Sequence, residues 1–414
     1  MNKTILHCDL NNFYASVECV KNPELYGKPV AVCGNVEDRH GIVLAKSQTA
    51  KLCGVRTGDT VAEAKRKCNG IIIVCPDFNS YFIYSEAVRK IYGRYTDLIE
   101  PFGMDECWLD VSGSEMLFGT GEQIAEEIRN TVKKETGLTI SAGVSFNKVF
   151  AKLGSDLKKP DAVTVISREN YREKIWPLPA NALLWVGRRT YKTLQKYGIN
   201  TIGDIASTHP SFLRKILGKN GFDLWLYANG EDRSPVSHKD MKITAKSVGR
   251  GITCVESLGC IQEAERVIAE LCTKVSGNLR REHLIAAALQ LSVKEDNLTV
   301  QQYSLPLDFP THNAKELYNT AVHLLTQKHI WKGDIRAITV RAFNLIYEKS
   351  VQQLIIDYDI ERHDKIESID GAMSEIRQRY GKNTVFTGGR LFGTKIPTGK
   401  TDHQVLPSSF NHSI

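Results

Sequence analysis

Three acidic residues fall where a carboxylate needs a physical reason to be. Asp9 closes the apolar run Ile5-Leu6-His7-Cys8, which reads as a buried strand, and stands just ahead of Asn11-Asn12, a polar pair suited to starting a helix. Asp105 and Glu106 are neighbours beside Gly103, inside the segment Leu98-Ile-Glu-Pro-Phe-Gly-Met-Asp-Glu-Cys-Trp-Leu-Asp-Val111. A carboxylate at the end of a buried strand is costly unless a cation accompanies it. Taken alone, Asp9 reads as a helix cap and the Asp105-Glu106 pair as a solvated turn. Taken together, three converging carboxylates would drive one another toward protonation. Two divalent cations remove that conflict. Oxygen-only donors suit Mg²⁺, with Mn²⁺ as the alternative, and argue against zinc. Two such ions about 3.5–4 Å apart can activate an attacking hydroxyl and hold a leaving phosphate oxygen, the requirement of nucleotidyl transfer.

The surrounding pattern has to bring these acids together. Residues 4–10 predict a strand, and Phe13, Val17 and Val20 predict a helix over 12–20. A Gly-punctuated section follows, with strands expected at 29–33 and 41–45, a short helix at 48–53 and basic residues Lys46, Lys51 and Arg56. A helix is expected over 79–95, a tight hairpin around Gly103, a helix at 121–136 and a strand at 138–146. With the 21–77 section set aside, the order is that of a ferredoxin-like antiparallel sheet with helices on one face, apart from one extra helix before the hairpin. In that layout the first strand neighbours the hairpin, so Asp9 can meet Asp105 and Glu106.

Residues 170–230 read as helical, with Gly187, Gly198, Gly203 and Gly221 as breaks, and 234–242 has a linker's composition. A second α+β module is expected over 243–346, with strands near 247–254, 285–293, 300–305 and 335–344 and helices near 261–281 and 314–329. One more helix, 370–380, precedes a Gly-rich polar end expected to be mobile.

At 414 residues the chain exceeds one compact core, and 42% hydrophobic with 24% charged residues is globular in character. No apolar run is long enough for a bilayer span, and the first residues lack a signal peptide's apolar stretch, so a cytoplasmic protein is expected. Ten cysteines without metal-like spacing fit reduced thiols, and Cys8, Cys33, Cys75 and Cys107 lie in apolar runs that favour burial. Residues 146–250 carry 19 Lys/Arg and 9 Asp/Glu, a local +10 in a chain of net charge +7. The basic excess is therefore confined to the middle, where it suits a polyanionic partner or a solvated basic face.

Four motifs in order give the chain a family resemblance. Cys8-Asp-Leu-Asn-Asn-Phe-Tyr-Ala-Ser-Val-Glu18, Gly103-Met-Asp-Glu106 with Trp108-Leu-Asp-Val111, Ser141-Ala-Gly-Val-Ser-Phe-Asn-Lys-Val-Phe-Ala-Lys152 and Lys158-Lys-Pro160 resemble the Y-family of translesion DNA polymerases. The branch resembled most is bacterial DNA polymerase IV, with some features of the polymerase V catalytic subunit, and the likeness runs from residue 3 to about 345. It implies a multidomain right-hand polymerase: a ferredoxin-like palm (1–20 and 78–168), small fingers (21–77), a helical thumb (169–236), a linker (237–242), an α+β little finger that binds DNA (243–346) and a C-terminal tail (347–414). It further implies primer-template DNA and an incoming dNTP as partners, two Mg²⁺ ions, action as a monomer and no membrane.

Carried over position by position, the resemblance makes Asp9, Asp105 and Glu106 the catalytic metal ligands, with the Leu10 carbonyl as a main-chain ligand and Glu106 nearest the primer 3′-hydroxyl. The second acid often found two residues after the first is Asn11 here, which is not counted as a ligand. Tyr14 falls at the steric gate, where a ring beneath the sugar excludes a 2′-hydroxyl; without the motif it would be an ordinary core aromatic. Lys159 matches the lysine that reaches the triphosphate. Gln48-Thr-Ala-Lys51 stands where the family commonly has Tyr-x-x-Arg, which removes bidentate phosphate binding and implies weaker nucleotide binding. Leu184-Trp-Val-Gly-Arg-Arg-Thr190 occupies a helix-hairpin-helix turn: Gly187 is kept, Trp185 replaces the other glycine, and Arg188 and Arg189 are set to contact DNA phosphates. Lys246 and Arg250 match the start of the little finger, where contacts go to the DNA backbone. Gln352-Gln-Leu-Ile-Ile-Asp-Tyr358 faintly resembles sliding-clamp peptides. A nucleotide cyclase and a catalytically impaired DNA-binding or regulatory relative of such a polymerase are the competing readings.

Overall fold

The computed structural model describes residues 3–34, 41–241, 245–348, 350, 360–381, 384–385 and 395–396. The chain forms two compact units, one running chiefly to Ile243 and the other from Thr244. Its architecture is mixed α+β, as expected.

The first unit opens with β1 (Ile5–Leu10) and α1 (Phe13–Lys21). The helix starts at the Asn11-Asn12 pair, but the expected side-chain cap is absent: Asn12 turns the chain through a left-handed conformation at φ 51° and caps nothing. Next come β2 (Val30–Cys33), β3 (Val43–Lys46), α2 (Gln48–Leu52), α3 (Val61–Lys67) and β4 (Ile72–Val74). Their strands form a small sheet ordered β3-β2-β4. Ser47 caps α2, while Thr60 and Glu63 close a reciprocal capping box on α3. All ten cysteines are free; Cys8, Cys33 and Cys107 are buried, but Cys75, expected inside, is exposed just beyond the end of β4.

The larger sheet takes its strands from both sides of this section. After α4 (Phe78–Tyr92) come β5 (Ile99–Pro101), β6 (Glu106–Asp110), α5 (Glu115–Phe118), α6 (Gly121–Thr136), β7 (Ile140–Ser145), α7 (Lys148–Leu157) and β8 (Val163–Ile166). The sheet order is β5-β6-β1-β7-β8. Leu6, Cys8 and Leu10 pack with Tyr81, Val88 and Ile91 of α4 and Ile124 and Ile128 of α6.

Two features correct the sequence expectation. The sheet is not wholly antiparallel, because β8 joins β7 in parallel. Nor are its helices confined to one face: α7 crosses the other. Gly143 of β7 and Gly154 of α7 make this close packing possible, since a Cβ on Gly143 would overlap the Ala151 carbonyl oxygen and one on Gly154 would come 3.0 Å from the Gly143 Cα. Side chains of β1 that alternate away from the α4/α6 core, Ile5, His7 and Asp9, therefore meet α7 rather than water.

Five helices complete the unit: α8 (Tyr171–Ile175), α9 (Arg188–Gln195), α10 (Ile202–Ser207), α11 (Pro210–Leu217) and α12 (Lys219–Ala228). Gly198, at φ 76°, does separate two helices. Gly203 and Gly221, expected as breaks, instead lie inside α10 and α12, where Trp176 crowds the position of a Gly203 Cβ at 3.1 Å and the Leu213 carbonyl leaves no room for one at Gly221. The bundle is tied to the sheet by Asn147 Nδ2, which donates to the Gly230 carbonyl at 3.0 Å. The linker-like segment is also docked: Val236 is buried and the Ser237 N–H donates to Glu100 Oε2 at 2.9 Å.

The second unit contains β9 (Ser247–Leu258), α13 (Ile261–Arg281), β10 (Leu284–Glu295), β11 (Val300–Thr311), α14 (Ala314–Lys328), β12 (Ile335–Tyr347) and α15 (Ile360–Tyr380). Its antiparallel sheet is ordered β11-β10-β12-β9, with α13 and α14 packed on one face. The last helix starts ten residues earlier than expected and is fastened to this unit. Glu367 pairs with Arg280 at 2.9 Å and His312 at 3.1 Å, and Asp370 Oδ2 accepts the Ala314 N–H at 2.8 Å, at the start of α14. Among the described residues, no helix is long and apolar enough to cross a membrane.

Candidate active site

The pairing of β1 with β6 sets Asp9 directly opposite Glu106, and the Leu10 N–H donates to the Asp105 carbonyl at 2.9 Å. Three sequence-predicted ligands are therefore gathered by two neighbouring strands, with the buried Leu10 tied to the same turn.

The hairpin carrying Asp105 is held from below by α4. Gly103, at φ 112°, allows the reversal. Arg89 Nη2 donates to the Gly103 carbonyl at 2.7 Å, and the Ser85 hydroxyl donates to the Met104 carbonyl. Sequence reasoning passed over both residues. They lie one helical turn apart among the apolar positions Tyr81, Val88 and Tyr92, and a polar pair on a buried helix face was the available signal.

Cations occupy the space above the acids. Lys152 of α7 places its Nζ 3.0 Å from Glu106 Oε1, 3.2 Å from Asp9 Oδ2 and 3.2 Å from Asp156 Oδ2. Lys159, just beyond α7, places its Nζ 2.6 Å from Asp9 Oδ2 and 2.9 Å from Asp156 Oδ1. Lys159 was expected near the reacting phosphates, whereas Lys152 and Asp156 received no role. Their spacing, with Asp156 four residues after Lys152 and three before Lys159, was the missed signal.

The electrostatics follow from this crowding. Burial, with Glu106 and Asp9 adding negative charge, pushes the Asp105 carboxyl up to about 7. Burial also raises Asp9, against the pull of Lys152. Burial opposes the Lys152 ammonium, but Glu106, Asp9 and Asp156 outweigh it and hold it above the ordinary lysine value. Beneath, His7 is fully buried with Nδ1 at 2.9 Å from the Ser155 hydroxyl, and burial, reinforced by Lys152, keeps it well below the usual imidazole value. The residues fit a divalent cation in donor chemistry and charge: hard oxygen donors, a carboxyl raised by burial and by the neighbouring carboxylates, and an ammonium that already sits between two of the acids. Among the described residues no ready-formed group of three metal-binding side chains exists. Here Lys152 bridges two of the acids.

Asn11, which was not counted as a ligand, is hydrogen-bonded through both its amide atoms. Its Nδ2 donates to Thr139 Oγ1 at 3.2 Å, and its Oδ1 accepts from the Ser141 hydroxyl at 2.9 Å. Tyr14, on the first turn of α1, stands beside the acids; burial and the Asp105 charge push its hydroxyl up to about 12. Gln48 and Lys51 lie on α2 against the smaller sheet. No described contact joins them to the carboxylates, although burial and Lys51 together lower the nearby Lys46.

In the helical bundle, Gly187, Arg188 and Arg189 are exposed at the start of α9, a helix start with no side-chain cap, and the Gly187 N–H donates to the Trp185 carbonyl at 3.2 Å. Trp185 adopts φ 74°, the left-handed conformation that glycine prefers, and stays 51% exposed with its ring edge-on to Phe102 at 6.3 Å. In the second unit, Lys246 is exposed just before β9, an edge strand. Arg250 shares the face of Val248 and Ile252, the side toward the helices, with its Nε buried. The open face carries Gly249, Gly251, Thr339 and Arg341, and the two glycines let Thr339 and Arg341 lie close over the edge strand. Segment 352–358 lies outside the described residues.

Residues 8–156 match the impB/mucB/samB family and residues 245–355 match its C-terminal domain. The chain is 46% identical to the DNA polymerase IV of Acetivibrio thermocellus over 388 residues, covering 94% of this chain and 97% of that protein. It is 33% identical to DNA polymerase IV 1 of Bacillus subtilis, covering 94% of each. A solved Y-family DNA polymerase chimera has the same fold at a TM-score of 0.74, with 23% identity, covering 83% of this chain and 99% of the chimera.

Proposed function

This chain belongs to the impB/mucB/samB family and is a DNA-directed DNA polymerase of the error-prone translesion type, and from that premise we propose how its site carries out the transfer. Asp9, Asp105, Glu106 and the Leu10 carbonyl would hold two Mg²⁺ ions. Those ions would lower the barrier to attack by the primer 3′-hydroxyl and neutralise the departing pyrophosphate. The rest is work for the protein's own groups. Glu106, opposite Asp9 and more exposed than it, faces the primer terminus. Lys159 leaves Asp9 for the incoming triphosphate, a move that suits a point charge on a flexible stem. Tyr14 lies beneath the sugar and excludes a 2′-hydroxyl.

The domain assignment belongs to the same proposal: palm at 1–20 and 78–168, fingers at 21–77, thumb at 169–236 and little finger at 243–346. Gln48 and Lys51 of the fingers contact phosphates, Gly187, Arg188 and Arg189 hold one stretch of backbone, and Lys246 and Arg250 another. A sliding clamp is a further partner. The small fingers leave the nascent base pair loosely enclosed, which accounts for tolerance of damaged templates.

The observation that carries this reading is the register of β1 against β6, which pairs Asp9 with Glu106 and ties Asp105 to Leu10. The test is to incubate the full chain with a primed template, Mg²⁺ and each dNTP, alongside Asp105→Ala. Primer extension by the wild type alone supports the reading. A cyclic nucleotide product, or DNA binding with no chemistry in either protein, contradicts it.

A further inference from the structure

We propose that Lys152 is a resident counter-cation of the catalytic carboxylates, which divalent metal must displace, and that Asp156 is the residue onto which it withdraws. The inference rests on the metal-site reading above and adds to it a competitor built into the protein.

Its basis is the arrangement of two lysines around three acids. Lys152 Nζ touches Glu106 Oε1 at 3.0 Å, Asp9 Oδ2 at 3.2 Å and Asp156 Oδ2 at 3.2 Å. The first two contacts use carboxylates that a metal would need. A divalent ion and an ammonium cannot share those oxygens without strong repulsion between like charges. The third contact points the other way. Asp156 is one turn further along α7, its side chain 48% exposed, against 14% for Lys152. A rotation of the lysine stem toward Asp156 therefore carries the ammonium toward solvent while one ion pair persists. Asp156 offers its other oxygen to Lys159 at 2.9 Å, so one carboxylate tethers both cations that contact Asp9.

The arrangement has a use in the metal-free protein. Left alone, Asp9 and Glu106 would repel each other across adjacent strands. Lys152 holds them converged, at the expense of apparent metal affinity, which falls by the fraction of time the carboxylates are free. Asp156 raises that fraction by giving the ammonium somewhere else to go.

The two residues thus have opposite effects, and damage to the fold cannot imitate both. In the full chain, without DNA or nucleotide, Mn²⁺ is titrated and the free ion is read by electron paramagnetic resonance, with Mg²⁺ as competitor. Lys152→Met, which keeps the apolar stem, is expected to bind Mn²⁺ about tenfold more tightly than the wild type. Lys152→Arg is expected to restore the competition, and Asp156→Asn to weaken binding several-fold. Unchanged or weaker binding in Lys152→Met, with a cooperative melt showing that it is folded, overturns the proposal. Should Lys152→Met fail to fold, Lys152→Gln serves the same comparison, with tightening as support and its absence as refutation. Failure of the wild type to bind Mn²⁺ at all would instead overturn the metal-site reading itself.

Discussion

The rings of Tyr14 and Tyr81 lie stacked, with centroids 4.4 Å apart and planes 14° from parallel. Tyr81 is buried and fixed from behind, its hydroxyl donating to Glu18 Oε1 at 2.7 Å. Phe78 meets Tyr14 edge-on at 5.8 Å, and the Tyr14 hydroxyl reaches Met104 Sδ at 3.5 Å, next to Asp105. With one face covered and both ends held, the ring has little freedom to move aside for a larger sugar. Tyr14→Ala is expected to lower discrimination against ribonucleotides by about 100-fold while leaving deoxynucleotide incorporation measurable. Competition between dCTP and CTP on one template reads this directly, and unaltered sugar discrimination would remove Tyr14 from the gate.

Arg89 is expected to matter to catalysis without touching substrate. Its bond to the Gly103 carbonyl fixes the turn that presents Asp105. Arg89→Met leaves that carbonyl unpaired, costing about 1–3 kcal/mol of stability, and loosens a ligand-bearing loop, a change that elsewhere costs about 10–100-fold in metal affinity or activity. Denaturant melts and Mn²⁺ titration on the same sample separate the two effects. A stability loss with intact metal binding would make Arg89 a purely structural residue.

Trp185 sits in a glycine conformation at φ 74°. Holding a non-glycine residue there costs about 1 kcal/mol or more. Trp185→Gly is expected to relieve that strain, offset by greater chain entropy in the unfolded state. Thermal stability should change little, whereas DNA affinity should rise as the turn exposes its N–H groups. A large loss of stability on substitution would show that the Phe102 contact outweighs the strain.

The metal-free protein should respond to pH through Asp105. Its carboxyl is raised to about 7 by burial and by the charges of Glu106 and Asp9, so between about pH 4, its unfolded value, and pH 7 the folded state binds more protons than the unfolded one. Stability without metal then falls as pH rises through that window. Metal binding requires the ionised form and releases the proton. Stabilisation by Mg²⁺, read as a melting-temperature increase, is expected to grow from pH 6 to pH 8. An increase that is flat or that shrinks with pH would contradict the assignment.

Much of this site was legible in the sequence because strand periodicity and turn chemistry are local. The run Ile5–Leu10, the helix 121–136 and the Gly103 turn fell where their apolar spacing placed them, and two strands sufficed to bring Asp9 to Glu106. What escaped was non-local. The second sheet face is covered by α7 only because Gly143 and Gly154 permit it, and such a pairing has no signature in either segment alone. Lys152 and Asp156 carried only their helical spacing as a signal, since a lysine on an amphipathic helix reads as solvated until the surface beneath it is known. Gly221 shows the converse error: glycine read as a break where close packing required it. Arg341, which lies over the open sheet beside Gly249, also escaped, because its strand has no motif to mark it.

The central claim is that Asp9, Asp105 and Glu106 form the catalytic metal site. The most direct measurement is single-turnover incorporation of one dNTP by the wild type and by Glu106→Gln, with DNA and nucleotide affinities taken from the same traces. The prediction is that Glu106→Gln binds both partners as the wild type does and loses about 1,000-fold or more in the chemical step, roughly 4 kcal/mol of barrier. Incorporation by Glu106→Gln at the wild-type rate would contradict it.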